Sequence, residues 1–201
     1  MQAYLTHSIY IDFDHPAVAD QAAALAQEVR ASGGTTLDLV RRCFEFVRDQ
    51  IRHSGDHNSN PVTIKASDVL LHQTGYCYAK SHLLAALLRA NGIPAGLCYQ
   101  RLSVGDRGAP YCLHGLNAVY LPEFGWYRID ARGNKPGVNA QFTPAHEALA
   151  FALQDDQERD LPEIWAEPLP IVTQALQAYD DVMDVARNLP DLILLPLPMK
   201  S

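Results

Sequence analysis

The apolar segment YCYAKSHLLAALLRA constrains the fold of this chain more than any other stretch. It predicts a helix over about 76–90, because Gly75 precedes it, Asn91-Gly92 ends it and Pro94 prevents its continuation. Three strand candidates follow directly, with the sequences AGLCYQRLSV, YCLHGLNAVYL and GWYRIDAR. Since helices precede consecutive strands, we predict an α+β fold in which N-terminal helices pack on an antiparallel β-sheet.

The flanking segments also carry signals of secondary structure. Residues 4–13 alternate loosely and predict a strand, and helices are predicted over about 16–31 and after Thr35 or Thr36. A polar, turn-rich stretch at 52–63 predicts a loop. Beyond the strands, PAHEALAFAL and PLPIVTQALQAYDDVMDVARNL predict helices, and the apolar, proline-rich tail PDLILLPLPMKS is expected to pack on the body.

The composition limits the classes of function to consider. The chain has 201 residues and a formal net charge of −7, so a strongly basic face for nucleic acid or anionic lipid is not expected. The start, MQAYLTHSIYIDFDHP, does not resemble a signal peptide, and no run approaches the ~18 apolar residues of a membrane span. No CxxC pair occurs, which favours free thiols in a reducing cytoplasm for Cys43, Cys77, Cys98 and Cys112.

Cys77 lies where the central helix begins, and this position changes the chemistry of its sulfur. A helix N-terminus favours the thiolate, which is the nucleophilic form of cysteine. An acyl group bonded to this sulfur would place its developing oxyanion near the Cys77 backbone N–H, which is one half of an oxyanion hole. Gly75 permits a sharp turn and the approach of a substrate. The position therefore predicts a reactive cysteine.

A nucleophilic cysteine needs a base, and the base needs a group that orients it. His114 lies in YCLHGLNAVYL, and the short connection to GWYRIDAR predicts a hairpin. If Leu121 faces Gly125, then His114 faces Arg132, and Asp130 is a same-face diagonal neighbour of the histidine at ~7–8 Å between Cα atoms. A loop that is one residue longer or shorter would put the two side chains on opposite faces of the hairpin. His114 would then be a core histidine bonded to a carbonyl group.

The order Cys, His, Asp on a helix start and two adjacent strands resembles the transglutaminase-like superfamily of cysteine enzymes, and in particular its small bacterial members. The matching text is GYCYAKSHLLAALLRANGIPAGLCYQ, HGLNAVYL and GWYRIDAR, within about 36–135. The resemblance implies a papain-like transglutaminase core with Cys77 as nucleophile, His114 as base and Asp130 as the orienting group. It also implies acyl transfer from an amide, peptide or protein through a thioester.

The same resemblance sets expectations for the whole chain. We expect a single transglutaminase-like domain over 1–201, with a core at about 36–135 and a C-terminal helical extension at about 143–201. Hydrolysis is favoured, because we expect the residues outside the core to be too few for the added β-domains of large cross-linking enzymes. An amine-accepting acyltransferase and a non-catalytic binding module on the same fold are the alternatives. No cofactor or metal is expected, and the oligomeric state stays open.

Further residues are candidates for the oxyanion hole and the substrate cleft. In the family, a residue at the cysteine loop often supplies the second oxyanion donor, and Gln73 is the best candidate because its amide can donate a hydrogen bond. Tyr76 and Tyr78 flank the nucleophile, and together with Tyr111 they could line a substrate groove.

The other cysteines offer weaker alternatives as nucleophiles. Cys112 shares a strand face with the histidine, but it lacks a helix N-terminus and an obvious oxyanion donor. Cys43 lies on a helix as a small core residue, and Cys98 is a strand thiol with no special feature.

A metal site is the alternative of a different class. His53, Asp56 and His57 lie in one polar stretch, and His72 follows further on. The H-x-x-x-H spacing can hold a metal only on a helix, and Gly55 disfavours a helix there. The stretch is therefore predicted to be a solvated loop, which could instead border the substrate cleft.

Overall fold

The computed structural model describes residues 1–105, 107–144 and 146–193. Within these residues, a 3-10 helix spans Gln2–Leu5 and the α-helices are α1 (Pro16–Ala31), α2 (Thr36–Gln50), α3 (Ser54–His57), α4 (Ala66–His72), α5 (Cys77–Ala90), α6 (Pro170–Gln177) and α7 (Val182–Arg187). The strands are β1 (Arg52–His53), β2 (Thr74–Gly75), β3 (Ala95–Ser103), β4 (Tyr111–Leu121), β5 (Gly125–Ile129) and β6 (Arg159–Asp160).

The apolar helix α5 forms the centre of the core. Every residue from Cys77 to Arg89 is buried, because α1, α2 and α4 pack on this helix and it also packs on β3 and β4. A helix enclosed in this way has no need of a polar face. Its buried cations, Lys80 and Arg89, donate to the main-chain carbonyl oxygens of Ile51 and Ala95.

The main sheet has the strand order β5-β4-β3-β6, and each neighbouring pair is antiparallel. The hairpin of β4 and β5 pairs Leu121 with Gly125, so of the registers considered from the sequence it has the one that brings Asp130 near His114. A separate two-stranded sheet pairs β1 with β2 in parallel. The predicted α+β class, with helices packed on an antiparallel sheet, is confirmed.

The predicted strand at residues 4–13 is wrong. Its first part belongs to the 3-10 helix, and the rest is irregular. Ser8 and Ile11 close a turn, in which the Ser8 N–H donates to the Ile11 carbonyl and the Ile11 N–H donates to Ser8 Oγ. The backbone groups of Ser8 and Ile11 are therefore bonded to each other and not to a neighbouring strand, and Ile9 stays 66% exposed.

The predicted helix in PAHEALAFAL is also wrong for its described residues. Gln141 and Ala148 form an isolated antiparallel bridge, and Ala150 donates its N–H to the Asp130 carboxylate. These bonds to residues outside the segment replace the i to i−4 bonds of a helix. The later helical signal is matched by α6 and α7, which lie within the second predicted segment.

The C-terminal tail begins beside β4. The Leu113 N–H donates to the Pro190 carbonyl at 2.7 Å, and Arg101 forms an ion pair with Asp191 at 2.7 Å. The remainder of the tail, from residue 194 onward, lies outside the described residues. In the described part of the chain, no helix is both long and apolar enough to cross a membrane.

Candidate active site

Cys77 is the first residue of α5, with Tyr76 at the N-cap, so the sulfur lies at a helix N-terminus as expected. The residue is 6% exposed and lines a cavity of about 300 Å³. The Gly115 backbone N–H donates a hydrogen bond to Cys77 Sγ at 3.4 Å. The sulfur therefore belongs to the first turn of α5, whose N–H groups lack helical partners, and it accepts an N–H group of β4.

Gly115 lets the start of α5 come this close to β4. A Cβ added at Gly115 would lie 2.9 Å from Tyr78 Cδ1 and 3.1 Å from Tyr78 Cα, so the first turn of α5 would have to move. We expect Gly115→Ala to lower the free energy of unfolding by about 1–3 kcal/mol, measured by urea unfolding. The same movement should slow the alkylation of Cys77 by iodoacetamide.

Gly105→Ala is the matched control, because the Cβ added there meets no atom within 4 Å. We expect that variant to change the free energy of unfolding by less than about 0.5 kcal/mol. Equal stability of the two variants would show that the approach of α5 to β4 is not tight.

His114 and Asp130 form a buried hydrogen-bonded pair beside this cavity. His114 Nε2 and Asp130 Oδ2 are 2.7 Å apart, and the residues are 5% and 1% exposed. Asp130 follows the end of β5, and its carboxylate also accepts the N–H groups of Arg132 at 3.1 Å and Ala150 at 3.0 Å. The two backbone N–H groups fix the orientation of the Asp130 carboxylate. The carboxylate in turn fixes the His114 ring through Nε2, so Nδ1 is the ring nitrogen that Asp130 does not bind.

The charges of Asp130 and Cys77 favour the protonated form of the His114 imidazole. Burial opposes the charge on His114, but Asp130 and the Cys77 side chain raise the pKa of His114 to about 10. Burial likewise opposes ionisation of Asp130, yet His114 and the backbone N–H donors hold the pKa of Asp130 below its ordinary value. An imidazolium beside a cysteine stabilises the thiolate, so the arrangement suits a nucleophilic sulfur.

The other three cysteines have a different environment. Burial raises the pKa of Cys43, Cys98 and Cys112 to about 12 in each case, which disfavours their thiolates at neutral pH. Cys112 lines the same cavity as Cys77, but it is an interior residue of β4 and not the start of a helix. As a rival nucleophile, Cys112 therefore lacks the electrostatic support that Cys77 has.

The structure brings two of the three predicted tyrosines to the cavity. Tyr76 and Tyr78 line it, with their hydroxyl groups donating to the carbonyl oxygens of Val182 and Leu113. Tyr111 is not among the lining residues, and its hydroxyl donates to Asp155 Oδ1 at 3.1 Å.

Gln73 is not brought to the cavity. It has a left-handed backbone conformation (φ 54°) at the end of α4, its side chain is exposed, and Nε2 donates to the Leu70 carbonyl at 2.6 Å. The left-handed residue turns the chain sharply before β2, so the amide points back along its own helix and away from Cys77. This geometry does not support Gln73 as the second oxyanion donor.

The stretch that was considered as a metal site is partly helical. Ser54–His57 forms the helical turn α3, so the expectation that Gly55 would prevent a helix is wrong. His53 instead caps that turn, and its ring lines the cavity, so this stretch does border the cleft. His72 is exposed at the end of α4. The described residues contain no cluster of three or more His, Cys, Asp or Glu side chains that could hold a metal ion.

The sequence did not reveal a charged network on the cavity wall. Arg132 forms a bidentate ion pair with Asp56, at 2.7 and 2.9 Å, and Lys135 contacts the same carboxylate at 2.7 Å. Phe151 covers the His114 ring edge to face, with centroids 5.0 Å apart. The sequence offered one hint of this network, because the hairpin register considered above places Arg132 opposite His114. It offered no hint of the partner Asp56, which is 76 residues away from Arg132 along the chain.

Comparison with known proteins gives a family match. The sequence model of the transglutaminase-like superfamily matches residues 23–131, more than half of the chain. No curated protein matches the chain closely enough to count as a relative.

Several solved structures resemble the fold. One is a candidate cysteine protease from Cytophaga hutchinsonii, with 22% identity and a TM-score of 0.49, covering 64% of this chain and 40% of that one. Another is the ethylmercury-bound periplasmic domain of TgpA from Pseudomonas aeruginosa, with 22% identity, a TM-score of 0.43 and coverage of 64% and 46%. A TGase gives 18% identity, a TM-score of 0.43 and coverage of 65% and 35%. The chain spans less than half of the length of each.

The matched range runs from within α1 to just beyond β5, so it contains the central helix and the hairpin. It therefore includes Cys77 and His114, which line the cavity, and Asp130, which is bonded to His114. The chain belongs to the transglutaminase-like superfamily.

Proposed function

We propose that the protein is a cysteine enzyme that cleaves an amide or peptide bond through a thioester on Cys77. The observation that carries the proposal is the buried pair of His114 and Asp130, which meets Cys77 at the N-terminus of α5. His114 acts as acid and base, and Asp130 fixes its orientation. A binding module would have no need of a buried charged pair beside a thiol, since burying such charges is costly without a chemical role.

In the first step, the Cys77 thiolate attacks the carbonyl carbon of the donor, a C–S bond forms, and the C=O electron pair moves onto oxygen. The Cys77 backbone N–H is one donor to that oxyanion. The oxyanion then collapses, the C–N bond breaks, and the imidazolium of His114 gives its proton to the departing amine. The products are a thioester on Cys77, a free amine and a neutral imidazole.

In the second step, His114 takes a proton from water while the water oxygen attacks the thioester carbon. Collapse of the resulting oxyanion breaks the C–S bond, releases a carboxylic acid and restores the thiolate beside the imidazolium. Water, at ~55 M, competes well against dilute amines unless a shaped site raises their effective concentration. We therefore favour hydrolysis over amine transfer.

The experiment is a product analysis. Purified protein would receive a library of peptide amides and thioesters with millimolar primary amine, and the products would be separated by mass. We expect free acid to exceed the amine adduct by about tenfold or more. Cys77→Ala treated in the same way corrects for spontaneous hydrolysis. A dominant adduct would reverse the preference and identify an amine-accepting acyltransferase.

We also propose that the chain acts as one catalytic domain in a reducing compartment such as the cytoplasm. The support for the compartment is that all four cysteines are free thiols, with Cys112 partly exposed. A protein or peptide is the proposed substrate, since the family chemistry acts on amides.

A further inference from the structure

His53 lies beside the nucleophile because of a long-range backbone pairing. The parallel sheet of β1 and β2 pairs His53 with Gly75, two residues before Cys77. The His53 ring packs edge to face on Tyr76, with centroids 5.5 Å apart and an interplanar angle of 81°. His53 lines the same cavity as Cys77 and His114. The ring is thus held rigidly at the wall of the candidate active site.

The hydrogen bonds of His53 identify which ring nitrogen carries the proton. Nδ1 accepts the Asp56 backbone N–H at 3.3 Å, so Nδ1 must be unprotonated. The Asp56 carboxylate is 3.6 Å from Nδ1, beyond hydrogen-bond range, and it is bound by Arg132 and Lys135 instead. A neutral imidazole with a bare Nδ1 carries its proton on Nε2.

The electrostatic surroundings keep this ring neutral. Burial, together with the positive charges of Arg132 and His114, holds the pKa of His53 well below its ordinary value, although Asp56 opposes the shift. A neutral imidazole can serve as a hydrogen-bond donor to an oxygen on which negative charge develops. His53 therefore has a fixed donor, Nε2–H, available over the neutral pH range.

The donors that flank Cys77 along the chain are already bonded. The hydroxyl groups of Tyr76 and Tyr78 each donate to a carbonyl group, and the cations Arg132 and Lys135 on the cavity wall donate to the Asp56 carboxylate. Among the residues that the structure describes, no group forms a hydrogen bond with His53 Nε2. We propose that the Nε2–H of His53 is the second donor of the oxyanion hole, opposite the Cys77 backbone N–H. This assignment rests on the proposed function.

The test separates stabilisation of an oxyanion from positioning of the sulfur. An N-acetyl amino aldehyde adds to Cys77 through a new C–S bond, and its C=O electron pair moves onto oxygen, which therefore needs the oxyanion hole. Iodoacetamide also forms a C–S bond, but it releases iodide and creates no oxyanion. The affinity of the aldehyde is measured as protection of Cys77 against iodoacetamide, using the member of a small aldehyde series that protects the wild type best.

His53→Phe keeps a ring to pack on Tyr76 but removes the donor. We expect it to lower kcat for acyl donors by roughly 10²–10³-fold and to weaken aldehyde binding comparably. The rate of iodoacetamide alkylation should stay within about twofold, since that reaction needs the thiolate but no oxyanion donor. His53→Gln, which retains an N–H donor, should recover part of the loss. His57→Phe, on the exposed end of α3, is the matched control and should match the wild type.

Two outcomes would overturn the assignment. One is a His53→Phe variant with unchanged kcat and aldehyde affinity. The other is an equal loss of aldehyde binding and alkylation rate, which would mean that His53 only supports the fold around the sulfur. If the wild type cleaved no donor, the proposed function would fail, but the aldehyde comparison would still decide whether His53 stabilises an oxyanion.

Discussion

Cys77→Ala is expected to reduce the turnover of acyl donors by roughly 10⁴-fold or more. The physical reason is that, among the described residues of the cavity, Cys77 alone combines a helix N-terminus with a buried imidazolium partner. Without the sulfur, a thioester cannot form, and the remaining groups can only polarise the donor. The measurement is kcat/KM on the best donor from the product screen, with circular dichroism to show that the variant is folded.

Cys112→Ala provides the control, because Cys112 lines the same cavity and has the same side chain. Burial raises the pKa of its thiol to about 12, so it should be present as the unreactive thiol. We expect its loss to change kcat/KM by less than about threefold, in line with a residue that only packs. A loss as large as that of Cys77→Ala, with folding intact, would move the nucleophile to Cys112.

His114→Ala is expected to lower turnover almost as much as the loss of the sulfur, because proton transfer to and from the amine and water would have no carrier. It should also slow the alkylation of Cys77 by iodoacetamide at neutral pH. In the wild type, His114 keeps its proton until the pH rises through about 10, so an imidazolium lies beside Cys77 across the neutral range. That positive charge stabilises the attacking thiolate, so its removal should lower the alkylation rate.

In the variant, Cys77 loses this positively charged partner, so its alkylation at pH 7 should be slower than in the wild type by about tenfold or more. His72→Ala is a suitable control, since His72 is exposed at the end of α4, and it should react as fast as the wild type. An unchanged alkylation rate in His114→Ala would mean that the helix N-terminus alone stabilises the thiolate.

Local sequence rules predicted the hairpin and one register that brings its pair together, but they left the other register open. A short connection restricts the register of two antiparallel strands, and the observed pairing of Leu121 with Gly125 is the one that puts Asp130 within reach of His114. The start of α5 near Cys77 could also be predicted from local sequence, because Gly75 precedes the apolar run that forms the helix. These features depend on residues close together along the chain.

Local rules failed where partners distant in sequence replaced local bonds. Residues 146–153 have the composition of a helix, but Ala150 donates to Asp130 and the His146 carbonyl accepts the Tyr127 hydroxyl at 3.1 Å. Gln73 has a suitable amide for an oxyanion hole, but the left-handed turn at the end of α4 directs it elsewhere. Neither outcome is encoded within a few residues of the position concerned.

The sequence alone predicted the α+β class, the helix that begins near Cys77, and a hairpin in which Asp130 can lie close to His114, whereas the structure decided the register. Periodicity, turn residues and strand alternation act over short distances along the chain, so they can be read directly. The tertiary structure alone decided that His53 lies beside Gly75 and that Arg132 binds Asp56. Those contacts join residues 22 and 76 positions apart, and they depend on how α2, α4 and α5 pack around one another, because long-range pairing is fixed by burial and not by local propensity.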